Sequence, residues 1–211
     1  VDATIQLQSG MVTARFDVGG RSVEPLYTAP WRGWRGVPLL EHLRGDFLCV
    51  PFGDAPASLE HCSPAWSRLD PGVSAHPHGW SSNGVWTLLS AGAGRGDEGA
   101  TALLQLDYPE EDAVDWVRRE VRCEAGRLAF TDTVHVRRGA HLPLGLHPIL
   151  ALPDTPGAAH LNLPACQTFA TLPFPPEPTS TLAVDARFAD PTRAPRSDGG
   201  TRDLTRLPFA D

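Results

Sequence analysis

The sequence has no lysine. All 18 of its basic residues are arginine, which excludes Schiff-base chemistry and any mechanism that needs a lysine amine within this chain. Positive charge is not in surplus either: a formal net charge of −7 argues against a nucleic-acid partner, because phosphate binding is driven by concentrated positive charge. Cysteine is scarce. Cys49, Cys62, Cys123 and Cys166 form no C-x-x-C pair, so neither a zinc ribbon nor a thioredoxin-type site is encoded, and they read as buried thiols. No run approaches the ~20 continuous apolar residues that cross a bilayer, and Val1-Asp2-Ala3-Thr4 lacks the basic and apolar regions of a signal peptide. A soluble, cytoplasmic protein with no membrane partner is expected.

What is present fits a globular β protein. A chain of 211 residues can bury a proper core without disulfide staples. Its 20 Gly and 21 Pro break the chain often, which suits many short strands better than long helices. Helical periodicity is nowhere sustained over the ~10 residues that an ordinary helix needs.

Several strand pairs are legible. Thr4-Ile5-Gln6-Leu7-Gln8 and Val12-Thr13-Ala14-Arg15-Phe16 alternate in period two around Ser9-Gly10, and Gly19-Gly20 supplies the next turn. Residues 85–89 and 102–106 flank Gly92-Ala93-Gly94-Arg95-Gly96-Asp97. That loop is a hairpin connection and not a phosphate cradle, since a strand and no helix follows it. Residues 116–123 and 128–136 form a longer pair joined by Glu124-Ala125-Gly126-Arg127, with Leu128, Phe130, Val134 and Val136 on one face and Asp132 interrupting it. Arg118-Arg119-Glu120-Val121-Arg122 alternates as a solvated strand face would and carries no catalytic weight. From Pro173 onward the composition turns to loop. The expected architecture is all-β: an antiparallel β-sandwich of two packed sheets in one domain spanning residues 1–211, with 173–211 rich in loop.

Three stretches concentrate unusual residues: Leu43-Arg44-Gly45-Asp46-Phe47-Leu48-Cys49-Val50-Pro51-Phe52-Gly53, His76-Pro77-His78-Gly79-Trp80, and Gly145-Leu146-His147-Pro148-Ile149-Leu150. The order R-G-x-x-x-C-x-P-x-G, then H-G-aromatic, then L-H-P with an apolar run resembles the galactose mutarotase-like superfamily, which includes aldose 1-epimerase. It is nearest the hexose-6-phosphate mutarotase branch, and the resemblance runs from about residue 1 to 190.

The resemblance implies a β-sandwich that interconverts the α and β anomers of a sugar or sugar phosphate by ring opening, with no cofactor. A carboxylate takes the anomeric proton while a histidine protonates the ring oxygen, a role that imidazole suits near neutral pH. By resemblance His147 is the general acid and His78 hydrogen-bonds the ring oxygen or a neighbouring hydroxyl. Arg44 binds a sugar hydroxyl or phosphate, Trp80 offers a flat face to the ring, and His76 and Asp46 complete the candidate substrate-binding set.

Each residue has a plainer reading: His147 and Trp80 as packing residues, Arg44 as a surface partner of Asp46 or Glu41. His76-x-His78 also fits two metal ligands on one face of a strand, as in cupins, although Ser81-Ser82-Asn83-Gly84 supplies no carboxylate.

The chain departs from the family in four places, one of them Arg137-Arg138 where the family often has Asn after the strand. Ser81-Ser82 stands where the family usually has a small residue and Arg, Pro148-Ile149-Leu150 replaces Pro-Tyr-Phe, and family members continue past Asp211 to strands that carry the glutamate base. No Glu follows Glu177. Asp185 or Asp190 then substitutes, or the chain is a fragment, or the domain is a carbohydrate-binding module without turnover. Open strand edges in a shortened sandwich favour a homo-oligomer.

Overall fold

The computed structural model describes residues 1–31, 36–53, 76–93, 99–163, 168–176 and 178–210. Cys62, Cys166, Glu177 and the tip of the Gly-rich connection at Gly94, Arg95, Gly96 and Asp97 lie outside the described residues. The chain is all-β and antiparallel, and falls into two compact units, the first ending at Ala151 and the second starting at Leu152 in this part of the chain.

The first unit carries two sheets. One is ordered β1 (Asp2–Gln6), β2 (Met11–Val18), β4 (Asp46–Cys49), β9 (Gly145–Pro148), with β3 (Arg21–Val23) also paired to β2. The other is a meander of β5 (Thr87–Ala93), β6 (Ala100–Asp107), β7 (Val114–Glu124) and β8 (Arg127–Val136). The period-two pattern sets the faces: Val12, Leu48 and Val50 from the first sheet meet Leu104, Leu106, Val117 and Val121 from the second in one buried core with Trp86, Tyr108 and Val114.

The β1–β2 turn is built at Ser9 and Gly10, both left-handed at φ 66° and 57°. Glycine is required at position 10 because a Cβ would strike the buried Trp86 indole. A second, smaller cluster lies on the other face of the first sheet, where Met11, Phe47 and Cys49 are covered by Leu39 of a single four-residue helix, α1 (Pro38–Glu41). Such a helix is too short for periodicity to reveal.

One charged run departs from its expected setting. Arg118 and Arg122 are exposed, but Arg119 is completely buried, which corrects the reading of this run as a solvated face. Its guanidinium pairs with Asp46 and stands 3.3 Å from Asp132, and its Cζ sits 4.3 Å over the Phe130 ring. The acidic interruption in β8 and the extra arginine in β7 thus face one another in register. A buried charge persists only when paired.

The second unit is held by short antiparallel pairs: β10 (Ala159–His160) with β15 (Arg206–Leu207), β11 (Phe169–Ala170) with β12 (Arg187–Phe188), and β13 (Ala194–Pro195) with β14 (Thr201–Arg202). Phe169 and Phe188 stack at 5.6 Å. No helix among the described residues is long and apolar enough to cross a membrane.

Candidate functional site

The register between β4 and β9 places His147 directly opposite Phe47. Directly paired residues share a face, so His147 lies on the side of the sheet that carries the smaller apolar cluster, and its ring stacks on Phe47 at 4.5 Å. His78 reaches the same place from a turn. Its ring centroid is 5.1 Å from that of His147, edge to face, and 5.2 Å from the Phe52 ring. Two histidines far apart in the sequence therefore meet in one aromatic group, Phe47, Phe52, His78 and His147. Both imidazoles are partly exposed, and Phe52 is 45% exposed at the rim.

Residues 76–79 form a turn that leaves the extended conformation at His78 (φ 59°) and Gly79 (φ 77°). Gly79 bridges to Val50 in parallel, and a Cβ on it would run into the Val50 carbonyl. His78 is tied to Gly53 twice: its N–H donates to the Gly53 carbonyl at 2.6 Å, and the Gly53 N–H donates to Nδ1 at 3.4 Å. In a neutral imidazole, acceptance at Nδ1 leaves the ring proton on Nε2.

Below this turn lies a buried polar hub that sequence reasoning missed. Ser81 Oγ accepts from the Val50 N–H at 2.8 Å and donates to the Leu48 carbonyl at 2.7 Å. Tyr108 donates to the Val50 carbonyl and accepts from the Ser81 N–H, and burial raises its phenol well above the ordinary range, so it stays neutral. Asn83 accepts from the Leu39 N–H at the start of α1. Burial also pushes the Cys49 thiol up to about 12, against a weaker opposing contact from Ser82, which makes it an inert packing group. The available signal was the run of three short polar residues directly after His-Gly-Trp, read there only for what it lacks.

The remaining candidates have other partners. Asp46 alternates with Phe47 along β4 and turns to the sandwich interior, where Arg119 holds it, so it lies on the opposite face of the sheet from His147. Arg44 is half-buried just before β4 and donates from Nε to the His42 carbonyl at 3.1 Å. Among the described residues it has no ion pair with Asp46 or Glu41. Trp80 packs against the main core and donates from Nε1 to the Asp107 carbonyl, with the His76 ring 5.6 Å away.

His76 and His78 lie on a turn and not along a strand. Among the described residues no group of three or more His, Cys, Asp or Glu side chains comes together in a form that could hold a metal ion.

Cavity and chemistry do not coincide. An apolar cavity of about 490 Å³ in the second unit is lined by Phe169, Phe174, Phe188, Leu204 and their neighbours, with no histidine and no carboxylate among the described residues. A polar concavity of about 250 Å³ lies beside Thr4, Thr13, Arg15 and Glu24, and neither contains His78 or His147. A third concavity, of about 500 Å³ beside Ala3, Ile5, Ala102 and Val121, holds neither histidine. The histidine pair is the stronger candidate, because it brings two imidazoles into ring contact, and imidazole is the side chain best suited to proton exchange. No family model, no curated protein and no solved structure matches this chain.

Proposed function

We propose that His78 and His147 form the sugar-facing pair of an aldose 1-epimerase-like site. The observation that carries this reading is the 5.1 Å separation of the two rings, contributed by the two motifs in which the sequence resembles the mutarotases. His147 protonates the ring oxygen of an aldose as the bond from that oxygen to the anomeric carbon breaks. A base removes the anomeric hydroxyl proton, leaving the open-chain aldehyde. Rotation about the first carbon–carbon bond and reclosure give the other anomer. His78 donates a hydrogen bond from its ring to the ring oxygen or a neighbouring hydroxyl, and holding both groups against one substrate supplies the orientation such proton transfers need.

A second reading, a carbohydrate-binding module without turnover, is favoured by one observation. The carboxylate that β4 offers, Asp46, faces away from the pair and is engaged by Arg119. Two-dimensional NMR exchange between the α and β anomers of glucose, galactose and glucose 6-phosphate separates the two readings. Acceleration over matched buffer that disappears in His147→Ala supports the epimerase. Saturable binding of a sugar without acceleration supports the module, and neither binding nor acceleration with any of the three counts against both.

A further inference from the structure

Three successive backbone carbonyls, those of Pro77, His78 and Gly79, are each taken by a buried side chain of the following turn. Asn83 Nδ2 donates to Pro77 at 2.7 Å and to Gly79 at 2.8 Å, while Ser82 Oγ reaches the His78 carbonyl at 2.8 Å. Ser82 is completely buried and Asn83 nearly so. In an extended chain successive carbonyls point to opposite sides. Three can converge on neighbouring donors only where the backbone between them leaves that conformation, and the left-handed φ values at His78 and Gly79 accomplish this. A left-handed histidine is disfavoured by contact between its own Cβ and the following carbonyl, so the conformation persists because bonds elsewhere hold it.

The same two side chains also fix where the turn sits. Ser82 Oγ lies 3.0 Å from the Leu48 carbonyl, its single proton shared between that oxygen and the His78 carbonyl. Leu48 pairs with Leu146 next to His147. One short path of hydrogen bonds thus runs from the backbone of His78 through Ser82 to β4 and across to β9.

We infer that Ser82 and Asn83 are positioning residues for His78, holding its backbone in the left-handed form that brings its ring against His147. The effect on a sugar rests on the function proposed above, whereas the ring geometry does not. Ser81 is the natural control: it is equally buried and bonds to Leu48 and Val50, but neither its hydroxyl nor its backbone N–H is bonded to residues 77–79.

The test uses the whole chain with labelled histidines and reads the nuclear Overhauser contact between the His78 and His147 ring protons, alongside thermal unfolding. Ser82→Ala is expected to unfold cooperatively yet lose the ring contact and at least tenfold of any anomer exchange, while Ser81→Ala lowers the melting temperature and keeps the ring contact. Should Ser82→Ala fail to fold, Ser82→Cys, which is somewhat larger but keeps the side-chain shape and weakens the donor, is read in the same way. Retention of the wild-type contact and imidazole shifts without the serine hydroxyl overturns the inference, as does equal loss in Ser81→Ala. If the wild type accelerates no anomer exchange, the proposed function fails separately, and the ring contact still decides this point.

Discussion

Asp46 and His147 occupy opposite faces of the same two-stranded pairing. His147 stacks on Phe47 on one side of β4, while Asp46, one residue earlier, turns through to Arg119 on the other. The strand that supports the candidate site on its outer face therefore anchors a buried ion group on its inner face. Arg119 also stands 3.3 Å from Asp132, so one cation serves two carboxylates.

Truncating that cation leaves both carboxylates buried without their partner. Arg119→Ala is expected to destabilise the fold by about 3–5 kcal/mol, measured by urea denaturation. Replacing all three groups together, with Arg119→Met, Asp46→Leu and Asp132→Leu, is expected to cost much less than the single truncation. A single-variant loss below about 1 kcal/mol contradicts the burial of this group.

Asp132 predicts a pH dependence. Burial raises its carboxyl above the ordinary 3.8, against the attraction of Arg119 and aided by repulsion from Asp46. A raised carboxyl is held protonated more tightly when folded, so its contribution is fully present below the unfolded value and is lost as pH rises through the folded one. The exposed Asp190, Asp198 and Asp203 are shifted the other way, so the difference between wild type and variant isolates the site. Relative to wild type, Asp132→Asn is expected to gain stability as the pH rises from the ordinary 3.8 through the raised folded value. A pH-independent difference in unfolding free energy contradicts this.

The long hairpin and the core were legible because β7 and β8 alternate over most of their length, and alternation is what two packed sheets require. The burial of Arg119 was not. Arginines at positions 118, 119 and 122 look alike in sequence, and only the cross-strand register shows that Asp132 lies opposite the middle one. At the candidate site, His78 and His147 were marked by their Gly and Pro neighbours. Ser82 and Asn83 were not, because what they bind is backbone, and a carbonyl's direction depends on φ and ψ, which a residue name does not fix.

Gly79 offers a direct check on the turn. Its backbone (φ 77°, ψ −179°) belongs to a region open essentially to glycine alone, and a Cβ would meet the Val50 carbonyl. Gly79→Ala is expected to cost about 1–3 kcal/mol or more and to displace His78, seen as loss of its ring contact with His147. A variant as stable as wild type contradicts this account of the turn.

Phe52 tests the rim. Its ring is 45% exposed and adjoins His78, and an aromatic face of this kind packs on the apolar side of a pyranose. Phe52→Ala is expected to weaken sugar binding by about fivefold, the equivalent of the ~1 kcal/mol of an aromatic contact, with little change in melting temperature. Unchanged affinity by calorimetry removes Phe52 from the site.

The claim that His78 and His147 form one sugar site is tested most directly by following both imidazoles in the same sample. Histidine-labelled protein is titrated with glucose, galactose and glucose 6-phosphate at constant pH, and the ring nitrogens are observed by NMR. For at least one sugar, both rings are expected to shift together along a single saturable curve, and the shift at His135, exposed on β8 of the other sheet, to stay near zero. Movement of neither ring with any of the three sugars, or of one ring without the other, contradicts it.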